Sequence, residues 1–373
     1  MKNIPFFNYP ALFREEKLEL MPIIEGVLER GAFVMQEDLF SFERNLAEYL
    51  GVKHAFGVAD GTIAIMMALR CAGVTAGHEV VVPSHTFVAS AAAVHHVGAI
   101  PVLAECAGDH LIDSADVAER ITDKTKAIMP VQLNGRTTNM DPILELAAQH
   151  ELKIVEDSAQ ALGSKHKGRC AGTFGVAGTC SFYPSKTLGC FGDGGAVFTD
   201  SDEAAALIKL MRDHGRSTTG EVVTWGYNSR LDNVQAAVLD FKLKSYPQKI
   251  ERRRAIARIY AERLRDISEL TLPPGPDEEP DHYDIYQNYE IEAVTRDALR
   301  YHLKQNGVGT IVQWGGWMIH QFGKLGLNAD NLEFTEKLSE RFLLLPMNTS
   351  LSDEDIHYIC DQITRFYRQA TTI

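Results

Sequence analysis

The strongest constraint on the fold is an alternation of short apolar runs with segments of helical periodicity in the N-terminal half of the chain. Predicted strands lie at 79–83 (EVVVP), 99–103 (AIPVL), 126–131 (KAIMPV) and 153–157 (KIVED). Short apolar runs between polar turns are typical of buried strands, and strands that alternate with helices favour a wound sheet. We therefore predict an α/β fold.

The composition is that of an ordinary globular protein. Apolar residues make up 45% of the 373 residues and charged residues 23%. A chain of this length can bury a large core and divide into two packed domains. The formal net charge is −13, and because this charge opposes binding to phosphate backbones, we expect no nucleic-acid partner.

The cysteines and the N-terminus bear on the compartment. The six cysteines form no Cys-x-x-Cys pair, so neither a disulfide framework nor a zinc site is predicted. The N-terminus lacks an apolar signal core, and the chain has no apolar run of the roughly 18 residues that a membrane span needs. We expect a cytoplasmic protein with no metal. His85, His95 and His96 show no ligand-like partners and are expected to be structural.

Lys186 lies between an aromatic-proline turn at 181–184 (SFYP) and a glycine-rich turn at 192–195 (GDGG), ahead of a predicted strand at 196–199 (AVFT). An ammonium group is costly to bury without a partner, so a lysine inside a cluster of turns is either solvated or functional. For this stretch taken alone, a solvated loop lysine is the alternative.

A second element indicates a function for this lysine. The predicted strand at 153–157 ends in Glu156 and Asp157, and α/β enzymes bind ligands at the carboxyl ends of their strands. Pyridoxal 5'-phosphate (PLP) is held as a Schiff base by a lysine amine, while an acidic residue keeps its pyridine nitrogen protonated. Lys186 and Asp157 meet both requirements, so we predict PLP as the cofactor and these residues as catalytic.

Four short motifs resemble those of the DegT/DnrJ/EryC1/StrS sugar aminotransferases: 155–160 (VEDSAQ), 181–186 (SFYPSK), 192–195 (GDGG) and 226–232 (GYNSRLD). The resemblance extends over nearly the whole chain. It implies a fold type I PLP-dependent transferase with a three-layer wound mixed sheet. We place the large PLP-binding domain at residues 1–245 and a smaller α+β domain at 246–373.

The resemblance also implies an activity. We expect a transaminase that moves an amino group from an amino acid, L-glutamate, to a keto sugar, with pyridoxamine 5'-phosphate as the intermediate form of the cofactor. The sugar is expected to be nucleotide-linked, in amino sugar biosynthesis for a surface polysaccharide or a glycosylated natural product. A homodimer with shared active sites is implied as well.

Six further residues take cofactor-binding roles by this resemblance. The phosphate of PLP would be held by Gly61, Thr62, Ser181 and, from a partner subunit, Asn228. The ring of PLP would contact Phe87, and the phenolic oxygen of PLP would contact Gln160. Plainer alternatives exist for several of them. Residues 60–62 could be no more than a helix cap, with Asp60 as the capping residue. Phe87 could be a core side chain, and Asn228 could be a turn residue.

The segment 313–320 (QWGGWMIH) departs from the His-Tyr-Pro type of sequence that many members of this family carry near the sugar site. Tryptophan stacks on sugars and nucleobases, so Trp314, Trp317 and His320 are expected to contact the substrate. Core packing is the alternative for one of the two tryptophans. This departure leaves the identity of the sugar open.

Further elements are predicted in the C-terminal part. Strands are expected at 286–293 and 307–312 around a helix at 296–306, and a final helix at 353–368 with Ser352 as its cap. The proline-rich segment 271–280 is expected to be a loop.

Three other functions compete with the aminotransferase hypothesis. A PLP-dependent sugar dehydratase of the same fold would carry histidine in place of Lys186. A non-catalytic regulator could keep the fold and bind an effector, although the complete set of cofactor residues argues against it. A dehydrogenase would use residues 189–195 as a nucleotide loop, which lacks the preceding strand and following helix of that fingerprint.

Overall fold

A computed structural model describes residues 2–327 and 330–370, with the backbone alone for residue 370. The described helices are α1 (Tyr9–Glu29), α2 (Glu37–Leu50), α3 (Gly61–Cys71), α4 (Val88–His96), α5 (Ser114–Arg120), α6 (Met140–Gln149), α7 (Asp202–Met211), α8 (Asn233–Lys244), α9 (Tyr246–Leu264), α10 (Arg296–Gln305), α11 (Glu333–Ser339) and α12 (Asp353–Ala370). The described strands are β1 (His54–Val58), β2 (Glu79–Pro83), β3 (Ile100–Ala104), β4 (Thr125–Ile128), β5 (Lys153–Asp157), β6 (Lys165–His166), β7 (Arg169–Cys170), β8 (Ala177–Ser181), β9 (Gly195–Thr199), β10 (Leu270–Thr271), β11 (His282–Tyr283), β12 (Tyr289–Ala293) and β13 (Phe342–Leu345).

The main sheet has seven strands in the order β1-β9-β8-β5-β4-β2-β3. The pairs from β3 through β8 are parallel, whereas β9 pairs antiparallel with both β8 and β1. Successive valines of β2 face opposite sides, with Val80 and Val82 in one buried cluster and Val81 in another. Helices cover both faces because both faces are apolar. The predicted wound α/β sheet is confirmed.

A smaller antiparallel sheet, β10-β12-β13, packs against α9, α10 and α12. Ile4, near the N-terminus, joins the same buried cluster. This is the α+β character expected of residues 246–373, while the boundary at residue 245 stays a prediction. A third sheet, β11-β6-β7, is made of two-residue strands.

The predicted strand at 307–312 is wrong. This segment forms single bridges, one from Val308 to Ile4 and one from Ile311 to Leu344, instead of a continuous ladder. Gly307 has a positive φ of 74°, and a Cβ there would lie 1.9 Å from the carbonyl oxygen of Lys2. The backbone therefore turns at the first residue of the predicted strand. The third strand of the small sheet is instead β13, which the sequence reading missed.

Most other elements agree with expectation within a few residues. Asp60 caps α3, because its Oδ1 accepts a hydrogen bond of 2.9 Å from the N–H of Ile63, and Ser352 Oγ accepts from Asp355 N–H at the start of α12. Within the described residues, no helix combines the length and the apolar character needed to cross a bilayer.

Candidate active site

A cavity of about 860 Å³ opens at the carboxyl ends of β2 and β5 and at the N-terminus of α3. The strands of a parallel sheet end at the same edge, which is where ligands bind in such sheets. The cavity brings together most of the predicted site residues: Gly61, Thr62, Phe87, Asp157, Gln160, Ser181, Lys186 and Trp314.

Lys186 lies in the irregular segment between β8 and β9. Its backbone N–H donates to the carbonyl oxygen of Tyr183 at 2.8 Å. Burial lowers the pKa of the amine more than the nearby Asp157 and Cys180 raise it, so this pKa lies below its ordinary value. A larger share of the amine is therefore neutral and nucleophilic near pH 7 than for a lysine in water.

Asp157 is the last residue of β5 and is held by two donors. Ser90 Oγ donates to one carboxylate oxygen at 2.7 Å, and the N–H of Ala159 donates to the other at 3.1 Å. Thr86 Oγ1 pairs with Ser90 Oγ at 2.9 Å. Each carboxylate oxygen thus has a fixed partner, which sets the orientation of the group beside the lysine.

Gly61 and Thr62 begin α3, where the N–H groups of the first turn have no partner within the helix and attract anions. Ser181 lies against this turn, since a Cβ on Gly61 would come within 3.1 Å of the Ser181 Cβ. A Cβ on Gly195 would lie 2.5 Å from the backbone of Asp60. Only glycine fits at position 195, and the turn lies close against β9 as a result.

Phe87 and Gln160 line other walls of the same cavity. Phe87 is 51% exposed, so it is not the core side chain that was the alternative; its ring centroid lies 6.3 Å from that of Trp314. Gln160 Oε1 accepts from Asn134 N–H at 2.9 Å and from Asn288 Nδ2 at 3.1 Å. The aromatic wall and the amide wall thus border one space.

The structure does not bring every predicted residue to the cavity. Asn228 lies outside its lining, and its Oδ1 accepts a hydrogen bond from Arg230. Trp317 is half-exposed and packs on Phe322, while His320 is buried with its Nε2 4.0 Å from a Glu336 oxygen. Of the three expected substrate contacts, Trp314 alone is among the residues that line this cavity.

Sequence reasoning missed a group of amides on one cavity wall. Gln287, Asn288 and Gln313 line the cavity with Gln160, and Asn134 is hydrogen-bonded to two of these amides. Gln313 Nε2 donates to Asn134 Oδ1 at 3.3 Å, and the buried Gln313 Oε1 has no hydrogen-bond partner among the described residues. The signal available in the sequence was the pair of amides Gln287 and Asn288, which lie at the start of a segment interpreted as a strand.

The expectation that His85 has no ligand-like partner is wrong. Its Nε2 lies 3.1 Å from Glu290 Oε1, and His110 Nδ1 lies 2.8 Å from the same oxygen. These buried side chains offer three ligand atoms within 4.8 Å of one another. Hydrogen bonds already account for their arrangement. Burial alone would lower the pKa of His110, but the bonds to Glu290 and Glu292 outweigh it and raise this pKa to about 9.

The fold and the cavity define the class of the protein. A DegT DnrJ EryC1 StrS aminotransferase from Brucella abortus has the same fold, with a TM-score of 0.91 and 34% identity over 98% of this chain and 99% of that one. The protein is a fold type I aminotransferase. Residues 15–364 match the DegT/DnrJ/EryC1/StrS aminotransferase family, and the chain belongs to this family. The predicted family, fold type and enzyme class are confirmed.

Similar proteins carry two kinds of name. The dTDP-3-amino-3,4,6-trideoxy-alpha-D-glucose transaminase of Streptomyces venezuelae is 39% identical over 314 residues, 84% of this chain and 82% of that protein. A pleiotropic regulatory protein of Geobacillus stearothermophilus is 36% identical over 98% of this chain and 99% of its own length.

Solved structures of similar proteins contain cofactor chemistry. The S. venezuelae protein DesV, in complex with a ketimine intermediate, has a TM-score of 0.94 and 35% identity, and the match covers 98% of this chain and 99% of DesV. NtdA from Bacillus subtilis, solved with the cofactor PMP bound, has a TM-score of 0.88 and 27% identity over 99% of this chain and 86% of NtdA. PMP, the amino form of PLP, is therefore a cofactor of a similar protein.

Proposed function

We propose that this protein is a PLP-dependent aminotransferase that moves an amino group from L-glutamate to a keto sugar carried on a nucleotide. The observation that carries the proposal is that Lys186 and Asp157 line one cavity. The two residues are separated in sequence, and the fold brings them to the same cavity. The Streptomyces venezuelae transaminase named above supports the choice of reaction.

The side chains present fit PLP. The cofactor has an aldehyde, a pyridine nitrogen, a phenolic oxygen and a phosphate, and the cavity offers an amine, a carboxylate, an amide and a helix N-terminus beside Ser181. When bound, PLP would supply an electron sink for bond breaking at the amino-bearing carbon. Gly61, Thr62 and Ser181 would hold its phosphate, Phe87 would cover its ring, and Gln160 would contact its phenolic oxygen.

Lys186 would both hold the cofactor and carry protons. Because burial lowers the pKa of its amine, the released amine is neutral more often and can accept a proton from the substrate carbon. Asp157 would face the pyridine nitrogen and hold a proton on it, with its orientation fixed by Ser90 and Ala159. Proton transfer by the Lys186 amine is general base catalysis.

The cavity also has room and chemistry for a sugar. Its volume, about 860 Å³, lies toward the upper end of the roughly 300–1,000 Å³ range of ligand pockets. Amide groups suit the hydroxyl groups of a sugar because each amide both donates and accepts hydrogen bonds. Trp314 adds an aromatic face on which a sugar ring can stack. A UDP-N-acetyl-3-dehydro-alpha-D-glucosamine 3-aminotransferase from Acidithiobacillus ferrooxidans, 35% identical, supports a nucleotide-linked substrate.

A second copy of the chain would complete the site. Among the described residues that line the cavity, the basic side chains are Lys186 and His96. The phosphate of PLP, the diphosphate of a nucleotide and the carboxylates of glutamate together need more positive charge. The segment with Asn228 and Arg230 follows Trp225, which is 97% exposed, and such an exposed aromatic is typical of an interface. We therefore propose a homodimer in which this segment reaches the partner's cavity.

The test is turnover by the purified protein with PLP, glutamate and a set of dTDP- and UDP-linked keto sugars, with the product identified by mass spectrometry. The expected product carries an amine in place of the ketone, and Lys186→Ala abolishes its formation. Lys153→Ala removes an exposed lysine at the start of β5 and serves as the matched control. Loss of water from the sugar without amine transfer would identify a dehydratase instead. Binding without turnover of any substrate would favour a regulator.

A further inference from the structure

The side chain of Gln287 forms hydrogen bonds to the backbone on both sides of Lys186. Its Oε1 accepts a hydrogen bond of 2.7 Å from the N–H of Thr187, and its Nε2 donates one of 2.8 Å to the carbonyl oxygen of Ser185. Gln287 is only 6% exposed. One amide thus fixes the two peptide groups that flank the lysine.

These hydrogen bonds matter because the segment that carries Lys186 belongs to no helix or strand. A second contact stabilises the same segment, since Thr187 Oγ1 pairs with the hydroxyl of Tyr246 at 2.6 Å. An amide has one donor end and one acceptor end, and both ends are used. A carboxylate of the same shape could accept from Thr187, but it would place an oxygen against the carbonyl oxygen of Ser185.

The next residue, Asn288, acts on a different part of the site. Its Nδ2 donates to Asn134 Oδ1 at 2.8 Å and to Gln160 Oε1 at 3.1 Å. Gln160 Oε1 also accepts from the N–H of Asn134. With its oxygen directed at these two donors, the Gln160 amide has its NH₂ group left for the cavity. Asn288 therefore sets which end of Gln160 a ligand meets.

Both residues precede β12, in the C-terminal part of the chain, whereas Lys186 and Gln160 belong to the main sheet and its loops. We propose that Gln287 and Asn288 are positioning residues: Gln287 fixes the backbone that carries Lys186, and Asn288 fixes the Gln160 amide with its donor end toward the cofactor's phenolic oxygen. This inference rests on the proposed function. It also means that the C-terminal part orders the amine and the amide directly, in addition to lining the cavity with Ile311, Gln313 and Trp314.

The test uses Gln287→Glu and Asn288→Asp in the PLP-loaded protein. Each variant keeps the size of the side chain and removes one donor. The first readout is the pH titration of the visible absorbance band of bound PLP, which depends on the groups around the lysine linkage and the phenolic oxygen. We expect its midpoint to shift in both variants. The second readout is steady-state kinetics, where kcat should fall about 10- to 100-fold with a smaller change in KM, since misplacing a reacting group by about 1 Å costs this much.

Gln235 provides a matched control. Its amide binds the backbone of Phe191 with a similar pair of hydrogen bonds. It accepts from the N–H at 2.9 Å and donates to the carbonyl oxygen at 3.2 Å. Gln235→Glu removes the same kind of hydrogen bond from the same irregular segment between β8 and β9, at Phe191 instead of beside Lys186. We expect it to lower thermal stability while leaving the PLP titration unchanged.

The outcomes separate the two proposals. If Gln287→Glu and Asn288→Asp lower the melting temperature but leave both the titration midpoint and kcat at wild-type values, the two residues are only structural and the inference is overturned. If the midpoint shifts in these variants while no keto sugar is aminated, the positioning role is supported and the proposed reaction fails. A wild-type protein that forms no visible band with PLP would overturn both.

Discussion

The buried contacts of His110 should make the stability of the fold depend on pH in a defined direction. Its ring lies 2.8 Å from Glu290 and 3.3 Å from Glu292, and these hydrogen bonds outweigh burial and raise its pKa to about 9. The same network holds the pKa of Glu290 below its ordinary range, against the effect of burial. Since His85 contacts both Glu290 and Trp314, the network lies directly behind the cavity wall.

The magnitude follows from the shift. A rise from 6.5 to about 9 corresponds to about 3 kcal/mol in favour of the protonated ring, at about 1.4 kcal/mol per pKa unit. A raised pKa adds stability that is fully present below pH 6.5 and is lost as the pH rises through about 9. With an unfolding entropy of about 2.1 cal/mol/K per residue, 3 kcal/mol in a chain of 373 residues changes the melting temperature by roughly 4 °C.

The assay compares the melting temperatures of the wild type and His110→Gln from pH 6 to pH 10. The wild type should exceed the variant by up to about 4 °C more at pH 6 than at pH 10. His78→Gln is the control, because the ring of this partly exposed histidine accepts from Thr75 N–H at 3.1 Å and faces no carboxylate in that contact. A difference for His110→Gln that is constant with pH, or that grows toward pH 10, would refute the reasoning.

Two further predictions concern the cofactor cradle and the lysine. Gly195→Ala would place a Cβ 2.5 Å from the backbone of Asp60. Overpacking of this kind costs about 1–3 kcal/mol, and if this cost falls on the bound state, the PLP dissociation constant should rise by about 5- to 150-fold. Fluorescence titration with PLP measures this constant. Gly108→Ala is the control, because a Cβ there meets nothing within 4 Å, and it should bind PLP normally. Equal PLP affinity in both variants would contradict a binding site formed by the first turn of α3. For Lys186, burial lowers the pKa, so the rate at which the cofactor-free protein captures PLP should rise with pH through a midpoint below 10.5. Stopped-flow absorbance gives this profile, and a midpoint at or above the ordinary value would show that burial does not control the amine.

The sequence was sufficient for the parts of the site that depend on local patterns. Asp157 follows an apolar strand run, and Lys186 lies between two turn signals, so each could be found within a short window. The parallel sheet then brings strand ends to one edge. Asp60 could likewise be identified as a cap, since capping depends on its neighbours in sequence.

The parts that could not be predicted depend on contacts between distant residues. Gln287 bonds to Thr187, 100 residues away, and His85 bonds to Glu290, 205 residues away. No local pattern records such pairs, and each residue looked like part of an ordinary strand or turn. The strand prediction for 307–312 was wrong for a related reason. Apolar residues of this segment form single bridges to Ile4 and to Leu344, which are both distant in sequence.

The central claim is that the amine of Lys186 bonds covalently to PLP. The most direct measurement is to load the protein with PLP, reduce it with borohydride, digest it and locate the modified peptide by mass spectrometry. The account predicts the reduced cofactor on Lys186, and no such modification when glutamate has first converted the cofactor to its amino form. A modification at another lysine, or none on the wild-type protein, would contradict it.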